Sequence, residues 1–102
     1  MADVFACQPS DINTKVRFFD AFQHVETEIS AGWIVRFCQA RGKGWEPFTF
    51  ADIDGFYKSK GMHDGFWFNR LLSNAFIVEK EGMYHITPDF VSRCFKSSPA
   101  KK

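Results

Sequence analysis

The apolar positions between Phe48 and Phe95 change period several times, and each change marks an element. Phe48-Thr49-Phe50 alternates as a very short strand. Ile53, Phe56 and Tyr57 then follow helical spacing, and Gly61 ends that helix. Thr49 with Asp52 three residues later resembles a capping box, with Asp in place of Glu. The next helix, from about Asp64 to Asn74, carries Phe68, Leu71, Leu72, Ala75 and Phe76 at i, i+3, i+4, i+7 and i+8, a continuous amphipathic stripe. Asn74 suits a left-handed residue near its end. Ile77–Glu79 and Met83–Ile86 flank Lys80-Glu81-Gly82, which predicts an antiparallel hairpin. Thr87-Pro88-Asp89 starts a last helix with Phe90, Val91, Cys94 and Phe95 on its apolar side.

The first half is more uniformly apolar. Residues 1–10 read as an irregular lead-in, with Ser10 or Asp11 able to cap a helix. Phe18, Phe22, Val25 and Ile29 then fall on one helical face, which Trp33 and Phe37 continue. Ile34, Val35 and Cys38 widen the apolar surface around the axis, as in a central buried helix. The pattern fits one helix from about Asp11 to Arg41, or two helices broken near Ser30-Gly32, because Ser-Ala-Gly is a poor helix interior. Gly42-Lys43-Gly44 ends the segment, and Trp45-Glu46-Pro47 connects it to the short strand at Phe48. The division is therefore a lead-in over 1–10, a single domain over 11–96 and a flexible tail over 97–102.

At 102 residues and 45% hydrophobic, the chain suits one domain with a real core. Thirteen Phe exclude a disordered or low-complexity chain. No apolar run approaches the roughly 18 to 20 residues of a membrane span, and the N-terminus lacks a signal-peptide pattern, so a soluble cytoplasmic protein is expected. Cys7, Cys38 and Cys94 are odd in number and far apart, which fits reduced thiols. The net charge of +1 is unevenly spread. Residues 1–30 hold two basic against five acidic residues, whereas the rest of the chain is mildly basic.

From Leu71-Leu72-Ser73-Asn74-Ala75-Phe76-Ile77-Val78 through Tyr84-His85-Ile86-Thr87-Pro88, the chain resembles the winged helix-turn-helix superfamily. The likeness covers about half the chain and points to no particular family within the superfamily. It implies a mainly α fold with a small antiparallel β-hairpin, a winged helix-turn-helix with an extra N-terminal helix. It also implies that the helix from Asp64 to Asn74 holds the recognition-helix position and that Glu79 to Met83 form the wing. In such folds the recognition helix enters the major groove and basic side chains grip phosphates.

The leading expectation is thus a small regulator that binds double-stranded DNA. Asn69 and Arg70 suit base edges, Lys58, Lys60 and His63 suit phosphates, and Ser73 shares the outward face. Arg36, Arg41 and Lys43 join Lys58, Lys60 and Arg70 as a candidate basic face. The alternative is a protein–protein adaptor using Phe66, Trp67 and Lys80 of the wing. Phe66 on the outward face and a wing tip Glu79-Lys80-Glu81 of net charge −1 fit a protein surface better than a phosphate backbone. A homodimer is expected because Phe18, Phe19 and Phe22 span a wide arc of their helix.

An enzyme, a cofactor and a metal site are not expected. His24, His63 and His85 with Cys38 and Cys94 lack the close pairs of structural zinc sites. Cys38 sits among apolar residues rather than beside a base. Gly42-Lys43-Gly44 lacks the spacing of a phosphate-binding loop.

Overall fold

The computed structural model describes residues 4–12, 25–62 and 65–96. Helix α1 (Val25–Arg41) is followed by α2 (Phe50–Ser59), α3 (Phe66–Ser73), strands β1 (Ile77–Lys80) and β2 (Met83–Ile86), and α4 (Pro88–Lys96). Among the described residues the fold is mainly helical with one antiparallel hairpin, and this order matches the one read from Phe48 onward apart from the short strand at Phe48. Phe18, Phe19, Phe22 and His24 lie outside the described residues, as do His63, Asp64 and residues 97–102. The start of the N-terminal helix and the dimer argument therefore lie outside them too.

Helix α1 runs unbroken through Ser30-Ala31-Gly32, as in the continuous one of the two alternatives. All three residues are buried, and burial of a helix face outweighs the weak propensity of Ser and Gly. The buried line of α1 is Thr27, Ser30, Ala31, Ile34, Val35 and Cys38, at i, i+3, i+4, i+7, i+8 and i+11. The expected line through Ile29 and Trp33 is instead partly open: Ile29 is exposed and Trp33 half-buried. Phe37 is the exception, packing edge-to-face on Phe48 at 4.9 Å and on Phe56 at 5.6 Å.

The segment read as an irregular lead-in forms two 3-10 turns, Val4–Ala6 and Pro9–Asp11, docked on the domain. The Gln39 side chain donates to the carbonyls of Pro9 and Ile12, each at 2.8 Å, and the Trp45 indole donates to the carbonyl of Cys7. Pro9 and Ile12 are buried. Asp11 caps no long helix among the described residues; its carboxylate accepts from the Gln8 amide at 3.3 Å. Gly44 has φ +60°, which favours glycine, whereas the 2.9 Å approach of an added Cβ to Gln8 Oε1 is relieved by moving the end of that exposed side chain.

Phe48 contributes a single bridge to Tyr84 rather than a strand, with Phe48 N to Tyr84 O at 3.0 Å and Tyr84 N to Phe48 O at 2.8 Å. The strand stops there because the capping box begins at the next residue. The Asp52 amide donates to Thr49 Oγ1 at 3.2 Å, and the Thr49 amide donates to the Asp52 carboxylate at 3.1 Å. That amide bond holds the Asp52 carboxyl below its usual range. Gly61 ends α2 with φ +83°.

Strand β1 pairs with β2 in the register Ile77↔Ile86, Val78↔His85, Glu79↔Tyr84 and Lys80↔Met83. Glu81 and Gly82 both have positive φ, 55° and 82°, as a two-residue type I′ turn demands. The Thr87 hydroxyl accepts from the Phe90 amide at 3.3 Å and donates to the Ala75 carbonyl at 2.9 Å, tying the start of α4 to the end of α3. The core joins Leu71, Phe76, Ile77, Ile86, Phe90 and Val91 to the buried line of α1.

Candidate interaction surface on the third helix

Helix α3 packs on α1 through Leu71, which is 0% exposed, with Trp67 and Asn74 half-buried at its flanks. Its neighbour Leu72 is 40% exposed, and Phe68 is only half-buried. The expected stripe is therefore rotated. The helix end adds a second departure. Asn74 keeps φ −90°, and Ala75 takes the left-handed conformation at φ 60° in its place. The Phe76 amide returns to the Leu71 carbonyl and the Ala75 amide to the Leu72 carbonyl, each at 3.0 Å, which is a Schellman motif. Phe76 thus leaves the helix and enters the core beside Leu71, and the helical positions of 75 and 76 cease to apply.

The outward side of α3 shows Phe66, Asn69, Leu72 and Ser73. Phe66 is 44% exposed, as expected from its place opposite the core. Arg70 sits at the edge of this outward side, its side chain 26% exposed. Its Nη1 lies 3.4 Å from Glu26 Oε1 on α1, and its guanidinium lies 5.5 Å from the Phe66 ring centre. Arg70 Nε is buried without a hydrogen-bond partner among the described residues. One cation is thereby held against a carboxylate at the α1–α3 contact.

Lys58, Lys60, Arg41 and Arg36 are each engaged locally, and Trp33 and Phe56, which carry Arg36 and Lys60, meet edge-to-face at 6.5 Å. Lys58 pairs with Asp54 at 3.0 Å within α2. Lys60 lies over the Phe56 ring at 5.5 Å. Arg41 donates to the Pro47 and Glu46 carbonyls at 3.2 and 2.6 Å and covers the Phe37 and Phe48 rings, so it holds the connector in place. Arg36 lies over Trp33 at 4.8 Å. Lys43 is exposed in the Gly42–Gly44 loop. Lys80 is exposed in β1, opposite Met83. Asn69 and Ser73 remain outward, with the Ser73 hydroxyl donating to the Arg70 carbonyl at 3.3 Å.

A set of aromatic residues not singled out as a site gathers beside α3. Phe50, 48% exposed at the first position of α2, meets Phe68 edge-to-face at 5.0 Å. Phe68 meets Tyr84 at 5.1 Å and 90°. Leu72 stands one turn beyond Phe68. The sequence signal was the capping box at Thr49, which turns Phe50 out of the strand that carries Phe48 inward.

Burial pushes the Cys38 and Cys94 thiols up to about 12 despite nearby arginines, so both stay neutral. Among the described residues no three His, Cys, Asp or Glu side chains gather as metal ligands. An open cleft of about 660 Å³ beside the Gly42–Gly44 loop is bordered by Lys43, Trp45 and His85, without a paired nucleophile and base. No helix among the described residues is long and apolar enough to cross a membrane. Comparisons with protein-family models, curated proteins and solved structures found no match to this chain.

Proposed function

We propose that the chain is a winged-helix interaction module whose third helix faces a protein partner. The winged reading is supported by the order of elements and by the Phe48–Tyr84 bridge, which sets a third backbone segment beside the hairpin. The single observation that carries the protein reading is the state of Arg70. The residue best suited to read a base is held against Glu26, while Phe66 and Leu72 occupy the outward side of its helix. Exposed aromatic and aliphatic side chains grouped on one face mark protein interfaces, whereas duplex DNA requires a basic face.

Phe66 supplies the test. Phe66→Ala lowers the melting temperature only modestly, because the residue is 44% exposed and its ring meets Trp67 and Arg70 at the helix surface, and removes binding to the protein partner. A titration with genomic duplex fragments at low salt separates the two readings. Duplex binding that falls steeply with salt and weakens on Arg70→Ala would replace the adaptor with the DNA-binding regulator.

A further inference from the structure

We infer that the surface made by Phe50, Phe68, Leu72 and Tyr84, with Glu79 at its rim, takes a cationic segment of the partner, one that sets Arg or Lys beside an apolar residue. This rests on the protein-interface reading above and names the partner's chemistry.

The rings supply the first observation. Phe68 bridges Phe50 and Tyr84 through edge-to-face contacts at 85° and 90°. The three form one continuous partly exposed aromatic surface, and Leu72 extends it along α3. Aromatic faces carry negative potential and attract guanidinium and ammonium groups.

The hairpin supplies the second, because it sorts charge by face. Residues directly across an antiparallel pair share a face. Glu79 is paired with Tyr84, so its carboxylate stands on the aromatic side. Lys80, paired with Met83, and His85, paired with Val78, stand on the other side.

The third observation is the pairing of charges on α2 and α3, against which Glu79 stands apart. Arg70 is held by Glu26 and Lys58 by Asp54. Glu79 is exposed and has no ion-pair partner among the described residues. An aromatic surface edged by an uncompensated carboxylate favours a cation and disfavours a phosphate. The formal net charge of +1 means that any such preference is local rather than a product of overall charge.

The probe is a short synthetic amphipathic peptide of Leu and Arg, compared with a twin carrying Glu at every Arg position. Each is titrated into the isotope-labelled protein, with backbone amide shifts as the readout. The Arg peptide is expected to shift the amides of Phe68, Leu72, Glu79 and Tyr84 and to bind at least about tenfold more tightly than its twin. Glu79→Lys is expected to reverse that preference without lowering the melting temperature, since Glu79 is exposed. Equal binding of the twins at this surface, or a preference for the Glu peptide, would overturn the cationic partner and leave the third helix as an interface. Absence of shifts at these amides with millimolar Arg peptide would also overturn it. If duplex DNA then shifts the α3 amides in a salt-dependent way, the protein-interface reading falls as well.

Discussion

Phe48 and Phe50 are two residues apart and have opposite fates. Phe48 is 0% exposed, ringed by Phe37, Tyr84 and the Arg41 guanidinium. Phe50 is 48% exposed and touches the half-buried Phe68. Strict alternation would have buried both. The capping box at Thr49 instead starts a helix between them, so that one ring closes the core and the other is left on the surface. The comparison extends to the whole molecule: one set of aromatic residues makes the fold, and another set of the same residue types lies on an open face beside α3.

The largest effect expected from this contrast is on stability. Phe48→Ala should destabilise the domain by about 3–5 kcal/mol, as for a buried aromatic, whereas Phe50→Ala should stay within about 1 kcal/mol. Denaturant unfolding of the two variants measures the difference. Similar losses would place Phe50 in the core and remove it from the interaction surface.

The thiols divide in the same way. Cys7 is exposed, while Cys38 and Cys94 are buried in the core. Their raised values, about 12, mean that the unfolded chain loses these protons first, near its ordinary thiol range around pH 8.5. The stability they contribute is therefore fully present below that range and declines as pH rises toward 12. Melting temperatures recorded between pH 7 and pH 10 should hold steady at first and then fall. A thiol reagent should modify Cys7 quickly, and Cys38 and Cys94 only as the chain unfolds.

A smaller effect concerns the left-handed residue that ends α3. Ala75 sits at φ 60°, where a Cβ is unfavourable and glycine is not. Ala75→Gly should raise stability by about 0.5–1 kcal/mol, read as a higher denaturant midpoint with unchanged slope. A loss instead would mean that Ala75 contributes packing that its exposed position does not suggest.

Local chemistry made much of the fold legible. Thr49 with Asp52, Gly61, the Glu81-Gly82 turn and Thr87-Pro88 each carry a backbone requirement in the residue itself, and each fixes an element end. The buried line of α1 was harder to read because it begins with Thr27 and Ser30, two polar residues that tertiary packing encloses. On α3 the stripe through Phe68 and Leu72 was drawn with Ala75 and Phe76 as helical positions, and the Schellman turn removes them from the helix. The site was less legible still. Arg70 has the composition of a base-reading residue, and only the position of Glu26, more than forty residues earlier, shows that its charge is paired. A pairing of that kind depends on tertiary geometry that no local pattern encodes.

The central claim is that the outward side of α3 meets protein. A photoreactive phenylalanine analogue at position 66, in the full-length chain expressed in its own cell, tests this directly. The account predicts light-dependent crosslinks from that position to polypeptide, above those from the same analogue at the exposed position 95 on α4. Crosslinks from position 66 to nucleic acid, or a yield no greater than at position 95, would contradict it.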